Sequence, residues 1–173
     1  MTQTPNLPPL IESHQSEYQD SGVTSTVAIA GHPIHPVIVT LPIAFLVAVP
    51  VCDLVYLFTK DLFWARGAFW LIAAGVVTGL LAAATGLMDF LGIERVRKRT
   101  AGWAHMIINI VVLALTIVNL VLRWGNFAGS VIPTGLVISI IVALLLGLSG
   151  WYGGELVYRH KIAVIGYTDR NQP

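Results

Sequence analysis

Four uncharged or nearly uncharged stretches, each long enough to cross a lipid bilayer, constrain this chain more than anything else in it. About 20 apolar residues suffice to span the hydrocarbon core as a helix. Val37–Phe58 qualifies with Asp53 as its only charge, Gly67–Met88 has none, Trp103–Leu122 has only His105, and Val131–Gly150 is uncharged. Between them lie short polar connections, Thr59–Arg66, Asp89–Gly102 and Arg123–Ser130. Short links between helices make neighbours antiparallel. The expected fold is therefore an all-α integral membrane protein, an antiparallel up-down bundle of four transmembrane helices.

Composition agrees. Charged residues make up 11% of the chain and mean hydropathy is +0.76, whereas a soluble domain carries about 25% charged residues. Trp64, Trp70, Trp103, Trp124 and Trp151 all fall at or beside a span end, where an amphipathic ring prefers the headgroup layer. The lipid bilayer is thus the first partner. A net charge of +1 gives no case for nucleic acid. The single Cys52 excludes a disulfide framework and paired-cysteine metal or redox motifs.

Residues 1–30 contain three acids, no Lys or Arg, and Pro5, Pro8 and Pro9. They read as a polar, disordered tail rather than a secretory signal. The transmembrane domain is expected over residues 31–158, followed by a tail over 159–173. With four spans, the termini and the middle loop share one side. Arg95, Arg97, Lys98, Arg99, Arg159, Lys161 and Arg170 fall there, against Lys60, Arg66 and Arg123 on the other. The asymmetry predicts both termini in the cytoplasm.

Polar residues inside spans form two stripes. At 100° per residue, Thr78, Thr85 and Asp89 share a face of the second helix with Gly75 and Ala82. His105, Asn109, Thr116 and Asn119 share one on the third. Lipid cannot satisfy such groups, so both stripes are expected to face inward. Gly75, Gly79 and Ala83 allow close helix approach, within the chain or in a homo-oligomer. Asp53 lies roughly 27 Å from His35 at 1.5 Å rise per residue, and is expected to pair with Asn119 or Arg123. Pro42 and Pro50 predict kinks in the first span, and the glycines from Gly150 onward predict the end of the fourth.

His32, His35, Asp89, His105, Glu155 and His160 all stand at span ends on one side. Two readings stay open. In the first, a b-type haem sits between His105 and His35, with His32 or His160 in reserve. Arg95, Arg97 and Arg99 would meet its propionates, and Gly86 and Gly102 would leave room for the macrocycle. In the second, the chain is a non-redox structural or interaction module, or one that binds a divalent metal. His32, His35, Asp89, His105 and Glu155 would then offer nitrogen and oxygen ligands to zinc, iron or manganese. Glu155 is alternatively expected to pair with the middle-loop arginines. No nucleophile elbow, HExxH helix or phosphate loop occurs, so the chain is not read as an enzyme.

Gly31–Pro42 (GHPIHPVIVTLP), the motifs within Thr85–Asn109 (TGLMDF and WAHMIIN) and Gly153–Tyr158 (GGELVY) resemble the bacterial four-helix membrane family of unknown function 2231, over about residues 30–166. The resemblance implies an inner-membrane location. It also hints at membrane electron transfer with a redox partner, because family members are sometimes fused to Rieske-type iron–sulfur domains. Arg159-His160-Lys161 stands where the family would have a His-Gly pair.

Overall fold

A computed structural model describes residues 22–164; residues 1–21 of the tail expected over 1–30, and the stretch from 165 onward, lie outside the described residues. Four helices are long and apolar enough to cross a membrane: Ile34–Thr59, Leu62–Gly92, Thr100–Arg123 and Val131–Tyr158. They are called the first to fourth spans below. Each packs against its two ring neighbours, with the tightest packing inside the first–second and third–fourth hairpins and looser packing between hairpins. The first and third spans therefore run parallel and face each other across the diagonal.

Local chemistry sets the boundaries. Lys60 takes a left-handed conformation (φ 57°) and ends the first span, while the Asp61 carboxylate accepts from the Phe63 N–H at 2.9 Å and starts the second. Side-chain capping of this kind satisfies an N–H that the helix leaves unpaired. The expected loop from Thr59 to Arg66 thus shrinks to a two-residue turn. The first span breaks at Val39, between Ile34–Ile38 and Thr40–Thr59. Pro42 has no N–H to give the Ile38 carbonyl, which is the physical reason to break there. Pro50 is carried inside the helix.

Two expectations fail. The fourth span does not end at Gly150 but continues to Tyr158. Leu156 is buried there with Phe90, Ile93, Val96, Ala101 and Ile162, and that apolar burial outweighs the glycines' weak helix preference. Nor is the chain free up to residue 30. Ala28–Ile29 pairs antiparallel with His32–Pro33, and Val23 bridges to Ile162. Residues 22–33 form a strap across this end of the bundle, because it carries the donors that the Asp89 carboxylate needs.

The small-residue face of the second span is used within the chain. A side chain at Gly75 would collide with Leu46 of the first span, and Gly79 lies against Leu113 and Pro42. Mid-bundle, Leu46, Val112, Val142 and Leu146 form an apolar plug.

The buried faces repeat. Shifting by the 70 residues that separate Asp53 from Arg123 brings Pro42, Leu46, Val49 and Asp53 onto Val112, Thr116, Asn119 and Arg123. Every one of those residues is buried. The same shift brings His35 onto His105. A slightly smaller shift brings the buried Ala68, Ile72, Gly75, Ala82 and Asp89 onto the buried Gly135, Ser139, Val142, Ser149 and Leu156, and Gly86 onto Gly153. The bundle is two related hairpins about an axis along its length.

Candidate functional site

At the end where the chain enters the first span, His35 and His105 meet across the diagonal. Their ring centroids are 6.3 Å apart and their planes are 86° apart. The two are oriented in the same way. His35 Nδ1 lies 2.9 Å from the Ala82 carbonyl, with the Thr85 hydroxyl at 3.4 Å. His105 Nδ1 lies 2.9 Å from the Ser149 carbonyl, with the Ser149 hydroxyl at 3.1 Å. A carbonyl only accepts, so each Nδ1 carries the hydrogen, and in the neutral ring that leaves the lone pair on Nε2. Such a bond from one ring nitrogen to a backbone carbonyl is the usual support of a metal-ligating histidine.

Glycines make these positions possible. A Cβ on Gly86 would sit 2.8 Å from His35 Cε1, and one on Gly153 would sit 3.1 Å from His105 Cε1. Both rings are therefore laid against bare backbone of the neighbouring helix in their own hairpin. Asn109 adds a brace on the His105 side, donating to the Ser149 hydroxyl at 2.6 Å and to the His105 carbonyl at 2.7 Å.

The other residues singled out from the sequence go elsewhere. His32 is exposed and turned onto the Ala30 carbonyl at 3.0 Å. The Asp89 carboxylate accepts from the Ser25 hydroxyl at 2.8 and 2.9 Å, and from the Thr26 N–H and hydroxyl, both at 2.7 Å. Glu155 lies 3.9 Å from Arg159 and 4.0 Å from His160, not against the middle-loop arginines. Among the described residues no three His, Cys, Asp or Glu side chains gather as a metal centre. The five-ligand set of His32, His35, Asp89, His105 and Glu155 is thus not assembled, because Asp89 and His32 are already held by the strap.

The arginines are also committed locally. Arg97 donates to the Phe90 carbonyl at 3.0 Å and to that of Leu91, closing the end of the second span. Arg95 donates to the His160 carbonyl at 3.4 Å. Arg99 lines a surface depression with Glu94, Arg95 and Lys98, to which neither histidine contributes. Gly102 makes room for the Val96 carbonyl rather than for a flat ligand.

The opposite end holds the pair expected for Asp53. Arg123 Nη1 and Nη2 each donate to Asp53 at 2.7 Å, and both side chains are fully buried. Asn119 accepts from Arg123 Nε at 2.9 Å, and the Ser139 hydroxyl lies 2.6 Å from Asp53 Oδ2. Every charged atom has a partner, the condition under which an ion pair is tolerated in a low-dielectric interior.

A family model described as a predicted membrane protein of unknown function, DUF2231, matches residues 31–166. The chain belongs to this family. Neither a curated protein nor a solved structure matches it. The match begins at Gly31, so residues 22–30 of the strap lie outside the DUF2231 region, while both histidines, both supporting carbonyls and both glycines lie inside it. Sequence reasoning missed Ala82, Ser149 and Gly153. Their only signal was the shared register of the two hairpins, in which Ala82 and Gly86 recur as Ser149 and Gly153.

Proposed function

We propose that this DUF2231 protein is a b-type haem-binding electron-transfer module of the bacterial inner membrane, with both termini cytoplasmic, in which His35 and His105 would hold the haem. The observation that carries this reading is the facing pair itself. Metal–nitrogen bonds of about 2.0–2.1 Å, with imidazole atoms about 1.1 Å from the ring centre given bonds near 1.33 Å, require centroids about 6.3 Å apart for ligation from opposite sides. In the structure the centroids stand 6.3 Å apart with the ring planes at 86°.

The donor set distinguishes haem from a bare cation. Zinc takes four ligands in a structural site, or three plus water, but only two histidines converge among the described residues. Haem brings four nitrogens of its own and asks the protein for two. Its position would be between the two hairpins, since each supplies one of the histidines. When bound, the group supplies one-electron chemistry. His35 and His105 would hold it, the Ala82 and Ser149 carbonyls would keep both rings in the ligating tautomer, and the Leu46–Val112–Val142–Leu146 plug lies between this end and the far one. That apolar plug favours an electron carrier over a proton or ion path.

Charge supports the orientation. Arg123 is consumed inside the bundle by Asp53, so only Lys60 and Arg66 remain as exposed-side cations against the Arg95–Arg99 turn.

The test is a dithionite-reduced minus oxidised spectrum of detergent-purified protein expressed with haem supply, with a metal assay on the same sample. Sharp low-spin bands at near one haem per chain are expected, absent in His105→Ala and His35→Ala variants that elute like wild type. A colourless wild type overturns the haem reading. Bound zinc, iron or manganese in that colourless sample would assign the pair to a metal ion instead.

A further inference from the structure

The turn between the second and third spans carries Arg95, Arg97, Lys98 and Arg99 against the single acid Glu94. Its backbone is pinned at the membrane surface. Arg97 closes the second span on the Phe90 carbonyl, the Trp103 indole donates to the Arg97 carbonyl at 3.0 Å, and Val96 is buried beneath. Trp103 is itself half-exposed at the start of the third span, the setting of an interfacial tryptophan.

On the outer side, Glu94, Arg95, Lys98 and Arg99 line a depression of 470 Å³. Lys98 and Glu94 pair at 2.8 Å, both highly exposed. Lys98 holds the Glu94 carboxyl below the usual carboxylate range. Such an exposed pair exchanges partners at little cost. Arg99 supplies a further guanidinium to the depression, and Arg95 is bonded to the His160 carbonyl at its rim.

We propose that this depression receives the headgroup phosphate of an anionic phospholipid. A guanidinium matches phosphate as a planar fork, and the size falls within the range of small-ligand sites. The position selects lipid over a soluble anion or an acidic protein. The depression lies on the turn that joins the ends of two spans, and the interfacial Trp103 is bonded to that same turn, so lipid headgroups are the anions nearest to it. This inference is independent of what the histidines bind.

The test uses the full-length protein in detergent with an equimolar mixture of phosphatidylglycerol and phosphatidylcholine, scored by lipid retained in native mass spectrometry. Retained phosphatidylglycerol should exceed phosphatidylcholine by about tenfold or more, and Lys98→Gln/Arg99→Gln should reduce that preference by about fivefold per cation removed. Arg66→Gln, on the other side, should leave it unchanged. Arg99→Lys keeps the charge without the fork and should lose part of the preference, which keeps the proposal testable if the double variant fails to fold. Equal retention of both lipids by wild type overturns the proposal. So does a preference that survives the double variant, which would leave these cations for a soluble acidic partner. Displacement of the lipid by millimolar inorganic phosphate would overturn it too, by assigning the site to a soluble anion.

Discussion

The two ends of this bundle use equivalent positions for opposite ends. Where the first and third spans begin, the repeat places histidine opposite histidine; eighteen residues further on in each, it places Asp53 opposite Arg123. The Asp53–Arg123 end is saturated: bidentate, braced by Asn119 and Ser139, and closed to solvent. At the histidine end both rings are partly accessible, and each nitrogen facing away from its supporting carbonyl retains bonding capacity. Saturation marks a structural contact. A pair of rigidly supported groups with capacity left over marks a place for something else.

Breaking each end should give contrasting results. The largest effect is expected from Asp53→Leu, which strands a buried guanidinium and should cost about 3–5 kcal/mol. Asp53→Leu/Arg123→Met, with both charges gone, should recover most of that. Chemical or thermal unfolding in detergent measures both. A double variant as unstable as the single one would mean that Asn119 and Ser139, rather than the mutual charge, set the requirement at that end.

Glycine at the other end comes next. Gly86→Ala pushes a methyl group to 2.8 Å from the His35 ring and should destabilise by about 1–3 kcal/mol through overpacking. Gly153→Ala meets His105 at 3.1 Å and should cost less. Equal losses from the two would show that the rings yield freely and are not held by the backbone. Smallest should be His35→Ala, at about 0.5–1.5 kcal/mol for one exchanged hydrogen bond, because the Ala82 carbonyl remains within its own helix. A loss as large as that of Asp53→Leu would erase the distinction between the two ends.

The sequence made some of this readable and hid the rest. Charge gaps and tryptophans located all four spans, and Asp53 and Arg123 were matched because a lone acid in lipid has few candidates for its partner. The diagonal meeting of His35 and His105 depends on helix rotation, which the Pro42 region blurs. Local propensity ends the fourth span at Gly150 because it says nothing of the apolar cluster around Leu156. Asp89 resembled a ligand because its true donors, Ser25 and Thr26, lie more than sixty residues away in a segment without periodicity. The repeat is hidden in the sequence because its equivalent positions carry different chemistry, Val49 against Asn119 and Asp53 against Arg123.

One feature of the histidines bears on how the molecule is put together. Everything that orients His35 belongs to the first hairpin, and everything that orients His105 belongs to the second. Each half carries within its own two helices the complete support of its histidine. In assembly terms the protein is a dimer of hairpins written on one polypeptide, joined at the Ile93–Arg99 turn. Two polypeptides divided at that turn and co-expressed should each insert as a complete half and recombine by complementation, and a ligand shared by the two histidines would serve as the clasp between them.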